Sequence, residues 1–118
     1  MDKRLLTIQD ISCVGQCSLT VALPIISACG VECGIFPSSV LSTTTAPGFS
    51  GWTFKDLTDE MPKILDQWIK EMVDFDAFYT GYVSQSQIPV ILDIMEKASR
   101  PGAIRIVDPV LGDNVKLY

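Results

Sequence analysis

Short apolar runs alternate with longer, helix-like segments along this chain, and this alternation is the feature that most restricts its fold. The predicted strands are 4–8, 31–41, 76–83 and 103–107. The predicted helices are 18–29, 53–73 and 87–99. Because the connections are short, each strand–helix–strand unit requires a right-handed crossover between parallel strands. The sequence therefore predicts an α/β domain whose mostly parallel sheet is covered by helices on both faces.

Charge and hydropathy exclude two classes of partner. Nine Lys and Arg against fourteen Asp and Glu give a net charge of −5, and the basic residues are scattered, so nucleic acid is not expected as a partner. The apolar run 21–26 contains Pro24 and is far shorter than the roughly 20 residues that a membrane-spanning helix needs. No signal-peptide cleavage pattern follows the first residues. We therefore expect no membrane association and a cytoplasmic location.

The absence of histidine and the spacing of the cysteines limit the available chemistry. Without His, the Ser-His-Asp and Cys-His arrangements and the common zinc hydrolase sites are excluded. The four cysteines form two pairs spaced by four residues, which is not the tight spacing of a zinc site. We expect them to be reduced, metal-free and buried as small apolar side chains. The cysteines are Cys13, Cys17, Cys29 and Cys33.

Polar residues follow each predicted strand. Taken singly, each set has an ordinary structural explanation: Asp10 could cap a turn, and Tyr82 could be a core residue with a solvated hydroxyl. In open α/β sheets, however, ligands bind outside the carboxyl ends of the strands, where all four sets would meet. The sequence therefore predicts a small-molecule site there. The sets are Gln9 and Asp10; 42–45; Thr80, Gly81 and Tyr82; and Asp108 with Gly112 and Asp113.

The segment VDPVLGD at 107–113 is the most specific motif. The strand delivers Asp108 to its end, Pro109 prevents further pairing, and Gly112 permits a turn that presents Asp113. Two carboxylates without a close cation favour Mg²⁺ that also binds phosphate oxygens.

This segment, extended to VDPVLGDNVKLY, resembles the D-P-V-[ML]-G-D motif of the pyridoxal and pyridoxamine kinases, which belong to the ribokinase-like superfamily. The runs LLTIQDISCVG, STTTAPGF and Thr80-Gly81-Tyr82 resemble other segments of that family, in the same order and at matching distances. The resemblance implies a ribokinase-like three-layer α/β/α fold. It also implies that residues 1–118 form the N-terminal, substrate-side part of one kinase domain, without its C-terminal ATP-binding part.

The resemblance assigns roles residue by residue. Thr45 and Tyr82, with Asp10, would bind the substrate ring, while Asp108 and Asp113 would lie near Mg²⁺ and the ATP phosphates. Tyr118 would belong to the nucleotide-side loop, and the catalytic base would lie beyond it. The implied activity is ATP-dependent phosphorylation of the hydroxymethyl group of pyridoxal, pyridoxamine or pyridoxine, by a homodimer that uses Mg²⁺ and a monovalent cation such as K⁺. The 118 residues alone would be inactive.

Two departures from the family pattern leave alternatives open. Asp10-Ile11 stands where many pyridoxal kinases have Ser-His, and Thr43-Thr44 replaces Asn-His. A carboxylate at Asp10 would favour a protonated ring nitrogen or different ring hydroxyls, so hydroxymethylpyrimidine is an alternative substrate. Two non-kinase alternatives are a non-catalytic vitamer-binding or dimerisation module and a phosphate-binding regulatory domain of doubly wound fold.

Overall fold

The structure, a computed structural model, describes residues 2–113 and 115–117, with the side chain of Asp113 left out of the description. Its elements in chain order are β1 (Arg4–Ser12), α1 (Leu19–Ala28), β2 (Glu32–Leu41), β3 (Phe54–Asp56), α2 (Met61–Lys70), β4 (Phe75–Thr80), a 3-10 turn (Gln85–Gln87), α3 (Ile88–Lys97), β5 (Ser99–Val107), β6 (Gly112–Asp113) and β7 (Lys116–Leu117).

A five-stranded sheet in the order β3-β2-β1-β4-β5 forms the centre of the fold. β1 pairs in parallel with β2 and β4, β4 pairs in parallel with β5, and β3 pairs antiparallel with β2 at the edge. β6 and β7 form a separate hairpin. The predicted mostly parallel α/β sheet is confirmed.

Helices cover both faces of this sheet, which gives three layers. Alternate residues of a strand point to opposite faces. Leu6 and Ile8 of β1 are fully buried in a core with residues of α2 and α3. On the other face, Leu5 borders a groove with Val21 and Ile25 of α1. Aromatic rings join the core across β2, α2 and β4, with centroids 5.4–5.9 Å apart along the series Phe36, Trp68, Phe75 and Phe78.

The structure corrects three predicted boundaries. β1 continues to Ser12, where the sequence predicted a loop from residue 9, because β2 remains beside it as far as Leu41. Residues 54–56 form β3 rather than the start of a helix. α2 begins only at Met61, with Pro62 in its first turn. In the first turn the missing N–H of proline has no intrahelical partner to lose, whereas in the interior of a longer helix proline would break the hydrogen bonding. β5 begins at Ser99, four residues before its predicted start.

The cysteines are more exposed than predicted. Cys13, Cys17 and Cys29 are exposed and only Cys33 is partly buried, so the expectation of four buried thiols is wrong. Cys13 and Cys17 lie in the loop after β1, and Cys29 lies at the end of α1. Partial burial raises the pKa of the Cys33 thiol. All four thiols are free in the structure.

An ion cluster ties three strands together at the amino edge of the sheet. Arg100 donates to Asp74 Oδ1 at 2.7 Å and to Asp76 Oδ2 at 2.6 Å. The backbone N–H of Arg4 donates to Asp76 Oδ2 at 2.8 Å. That N–H, followed by the charges of Arg100 and Lys3, lowers the pKa of Asp76.

Gln87 joins the 3-10 turn to two other parts of the fold. Its buried side-chain amide donates to the Ser38 carbonyl of β2 at 2.8 Å and to Thr58 Oγ1 at 3.2 Å. Its side-chain oxygen accepts from the Ser84 N–H at 3.0 Å. The turn that follows β4 is thereby fixed to the end of β2.

β5 lies at the edge of the sheet and carries exposed apolar side chains. Ile104, Ile106 and Val107 are 62%, 50% and 63% exposed. Within the described residues, no helix has the length and apolar character to cross a membrane.

Candidate active site

A cleft of about 460 Å³ opens at the carboxyl edge of the sheet. Its walls come from β1, β2 and β3 and from the loops that follow β1, β2, β4 and β5. Four of the residues to which the resemblance assigned a role lie in it together. They are Asp10, Thr45, Tyr82 and Asp108.

A bulge in the pairing of β1 and β2 shapes the floor of the cleft. Gln9 pairs with Pro37 and Ile11 pairs with Val40, so Ser38 and Ser39 together stand opposite Asp10. Bulges of this kind re-aim side chains and are common beside active sites. Asp10 thus lies within β1, not in the loop where the sequence placed it, and its carboxylate makes no hydrogen bond or ion pair with any described residue.

The loops after β1 and β2 are locked together beside the cleft. The Cys13 N–H donates to the Leu41 carbonyl and the Thr44 N–H donates to the Val14 carbonyl, each at 2.9 Å. Gly15 has a φ of +89°, and a Cβ at this position would overlap the Thr44 methyl group. This close approach brings the following residue, Thr45, to the cleft wall.

Tyr82 is positioned through its backbone. The Ser38 hydroxyl donates to the Tyr82 carbonyl at 3.1 Å, and the N–H of the preceding Gly81 donates to the Ile8 carbonyl at 2.9 Å. A Cβ at Gly81 would overlap the side-chain oxygen of Gln9, so a larger residue here would require the Gln9 side chain to shift. Tyr82 itself is half-buried.

Asp108 follows β5 and faces solvent at the cleft edge. Its N–H donates to the Thr80 carbonyl at 3.1 Å, and its Oδ1 accepts from the Val110 N–H at 3.1 Å. The turn is therefore fixed while the carboxylate stays exposed. A second cleft, of about 550 Å³, lies between this turn and α3. Tyr82 and Asp108 border both clefts.

The remaining nominated residues lie at the end of the chain. Asp113 belongs to β6, pairing with Lys116, but its side chain is outside the description. Tyr118 lies outside the described residues. Among the residues described, no three Asp, Glu or Cys side chains gather as a metal-binding group.

The cleft has walls that the sequence did not single out. Ser39 and the aromatic side chains of Trp52 and Phe54 line it, as does the exposed thiol Cys17. The signal for Ser39 was two consecutive serines inside an otherwise apolar strand. For Phe54 the signal was hidden, because the sequence assigned it to a helix that does not form there. Trp52 fell between the predicted loop and the predicted helix and was assigned to neither.

Comparisons with known proteins point to one family. The chain is 30% identical to pyridoxal kinase from Dictyostelium discoideum, over all of this chain and 40% of that protein. It is 44% identical, with a TM-score of 0.91, to a Bacteroides thetaiotaomicron protein assigned as a phosphomethylpyrimidine kinase and crystallised with pyridoxal, over 100% of this chain and 41% of that one. The chain belongs to the ribokinase-like family that includes the pyridoxal kinases.

Pyridoxal kinase from Lactobacillus plantarum is a further solved relative, with 32% identity and a TM-score of 0.87 over 98% of this chain and 41% of that one. No family model matches the chain. The predicted ribokinase-like fold class is confirmed by these likenesses. The chain spans about 40% of the length of the curated relative that it matches. The roles of the cleft residues are therefore a matter of proposal.

Proposed function

We propose that the full-length protein carrying this chain is an ATP-dependent kinase that phosphorylates the hydroxymethyl group of pyridoxal, pyridoxamine or pyridoxine. Within it, residues 1–118 supply the substrate side of one kinase domain. The observation that carries the proposal is the cleft of about 460 Å³, which gathers Asp10, Thr45, Tyr82 and Asp108. A volume of this size suits a small aromatic molecule. The relative crystallised with pyridoxal supports the choice of ligand.

In this proposal the cleft residues divide the work of binding. Asp10 accepts a hydrogen bond from a polar atom of the ring, the Thr45 hydroxyl binds a second ring substituent, and Tyr82 lies against the ring. The hydroxymethyl oxygen attacks the γ-phosphorus of ATP, ADP leaves, and the hydroxyl proton passes to a base that we expect beyond Tyr118. Tyr82 and Asp108 border both clefts, which supports substrate binding in one and the approach of phosphates from the other.

Asp108 fits a site for Mg²⁺. Its carboxylate is exposed at the cleft edge, and Mg²⁺ in phosphoryl-transfer sites needs only one or two protein carboxylates besides phosphate oxygens and water. Asp108, together with Asp113, would hold the ion, with Tyr118 on the nucleotide side. When it is bound, the ion would neutralise negative charge on the phosphates. The requirement for ATP and Mg²⁺, a monovalent cation such as K⁺, a homodimer and a cytoplasmic location belong to the same proposal and rest on the family resemblance.

Hydroxymethylpyrimidine kinase activity is the second candidate. The observation that favours it is the carboxylate of Asp10, which accepts hydrogen bonds but cannot donate one at neutral pH and so suits an amino-substituted ring. The relative assigned as a phosphomethylpyrimidine kinase supports this candidate as well.

The test is a phosphorylation assay of the full-length protein with ATP and Mg²⁺. Pyridoxal, pyridoxine, pyridoxamine and hydroxymethylpyrimidine are compared by mass spectrometry of the products. We expect at least one of the four to gain a phosphoryl group. In Asp108→Asn and Asp113→Asn we expect kcat to fall while the dissociation constant of the vitamer stays unchanged, because the partner of these carboxylates is the metal-bound phosphate. Tight vitamer binding without any turnover would instead favour a non-catalytic binding module, and binding of none of the four would contradict both candidates.

A further inference from the structure

The hydroxyl of Ser39 is a buried polar group that the fold leaves unsatisfied. The residue is 2% exposed, and its Oγ has no hydrogen-bond partner among the residues that the structure describes. Buried hydroxyls in folded proteins are nearly always hydrogen-bonded, and one without a partner destabilises the fold. An unsatisfied hydroxyl therefore calls for a functional explanation.

Its neighbour Ser38 shows that the strand can satisfy a buried serine. Ser38 is 1% exposed, yet its Oγ donates to the Tyr82 carbonyl at 3.1 Å. Ser38 and Ser39 stand together opposite Asp10 at the bulge, yet they meet different surroundings. The Ser38 hydroxyl faces protein backbone, whereas Ser39 lines the cleft.

The geometry around Ser39 is fixed on both sides. Its strand is held by β1 through the pairs Ile11–Val40 and Ser12–Leu41, and by β3 through the pair Ser39–Asp56. The bulge places Ser39 opposite Asp10, whose carboxylate also lines the cleft. A hydroxyl and a carboxylate therefore border the same floor, and the described contacts satisfy neither of them.

We propose that Ser39 determines substrate specificity: its hydroxyl forms a hydrogen bond with a polar substituent or ring atom of a six-membered heteroaromatic substrate, beside the group that Asp10 binds. This inference rests on the proposed function. Asp10 only accepts, whereas the hydroxyl of Ser39 both donates and accepts. The pair selects a ring that presents a donor next to a second polar atom, as hydroxypyridines and aminopyrimidines do, and disfavours a ring that lacks either.

The experiment measures binding to the full-length protein by titration calorimetry, without ATP. Pyridoxine is the probe, because it has no aldehyde that could react with lysines. 3-Deoxypyridoxine and 4-deoxypyridoxine each lack one polar group, and hydroxymethylpyrimidine with its desamino analogue forms the parallel set. The variants are Ser39→Ala and the near-isosteric Ser39→Cys. Ser38→Ala is the control for loss of a buried hydroxyl from the same strand.

We expect Ser39→Ala to weaken binding of the natural probe about threefold to tenfold, the range for one neutral hydrogen bond. The loss should vanish for the analogue that lacks the group bound by Ser39. The melting temperature of Ser39→Ala should equal or exceed that of the wild type, whereas Ser38→Ala should lower it, because only Ser38 loses a formed bond.

Three results would overturn the inference or its basis. Unchanged affinity of both Ser39 variants for every probe would overturn the role of Ser39 alone. An equal loss for all probes would assign Ser39 a merely structural role and would also overturn it. Failure of the wild-type protein to bind either pyridoxine or hydroxymethylpyrimidine would overturn the proposed function itself.

Discussion

Asp10 is one of the residues at which this chain departs from the pattern of the pyridoxal kinases that its motifs resemble. A carboxylate stands in the cleft floor where a hydroxyl is common, and it has no partner among the described side chains. Because a carboxylate accepts hydrogen bonds but does not donate them, it favours binding of a ring that presents a hydrogen-bond donor and disfavours a ring that presents an acceptor. We therefore expect Asp10 to influence whether the protein prefers pyridine or pyrimidine substrates.

We predict that Asp10→Ser changes the ratio of kcat/KM for pyridoxal over hydroxymethylpyrimidine by more than about tenfold, the effect of about 1.4 kcal/mol. The two constants are measured in the same full-length preparation. Asp59→Ser, at an exposed position before α2 and outside the cleft lining, is the matched control and should leave the ratio unchanged. An unchanged ratio in Asp10→Ser would assign the carboxylate a structural role.

The sequence identified these residues better than their surroundings. Asp10, Thr45, Tyr82 and Asp108 could be nominated because parallel topology brings all strand ends to one edge. For Ser39 the sequence offered two consecutive serines in an apolar strand, but this signal does not place the residue in the cleft, because its position there depends on the bulge opposite Asp10. A bulge arises from the register of two distant strands, which a single sequence does not encode locally.

Gln87 is the connection between elements on which the position of Tyr82 depends. Its side chain fixes the turn after β4 to the β2 carbonyl of Ser38, whose own hydroxyl binds the Tyr82 backbone. The contacts run from the 3-10 turn through β2 to the cleft. Removal of the Gln87 side chain should therefore lower both the stability of the fold and the affinity for substrate.

We predict that Gln87→Ala lowers the free energy of unfolding by about 2–4 kcal/mol, because it leaves buried polar groups unpaired and opens a cavity. Urea denaturation of the full-length protein measures the change. Gln85→Ala removes an exposed glutamine from the same turn and should shift the free energy by less than about 0.5 kcal/mol. Equal effects of the two variants would contradict the role of Gln87.

The ion cluster of β1, β4 and β5 predicts a pH dependence of stability. The folded-state pKa of Asp76 lies below its ordinary value, so its contribution is present above the unfolded pKa of about 3.9 and is lost as pH falls through the folded value. Asp76→Asn should therefore lower the melting temperature near neutral pH and flatten its decline below about pH 4. Asp93→Asn, which removes an exposed ion pair on α3, should keep the wild-type decline. Parallel curves for Asp76→Asn and wild type would refute this assignment.

Helices and strands with a clear hydrophobic periodicity were predicted well, whereas the short strand at the edge of the sheet was not. α3 was recognised with Pro89 in its first turn, as the structure has it. β3 was missed because its three residues gain their structure from pairing with β2, and nothing in their own sequence opposes a helix. Tertiary pairing overrides local propensity in such short segments.

At the scale of the molecule, β5 is an edge strand that carries exposed apolar side chains. An edge strand with exposed apolar side chains favours association with another chain. The known relatives are more than twice as long as this chain, which spans 40% of the curated one. We propose that further sequence of a full-length kinase covers this strand.

We predict that residues 1–118 expressed alone self-associate and do not phosphorylate pyridoxal. Light scattering measures the size, and the assay contains ATP and Mg²⁺ beside the full-length protein. Ile104→Lys with Ile106→Lys should reduce self-association of the 118-residue chain but destabilise the full-length protein, in which these side chains would be covered. A stable monomer with turnover near that of the full-length protein would contradict the prediction.

The central claim, that a ring-bearing substrate occupies this cleft, can be tested through Cys17. Its exposed thiol lines the cleft, whereas Cys29, equally free and exposed at the end of α1, does not. Alkylation of both thiols in the full-length protein is followed by fragmentation mass spectrometry, with and without pyridoxine. At ten times the dissociation constant, we predict that pyridoxine slows alkylation of Cys17 by about tenfold and leaves Cys29 unchanged. Binding by calorimetry with equal alkylation rates at Cys17 would place the ligand elsewhere and contradict the account.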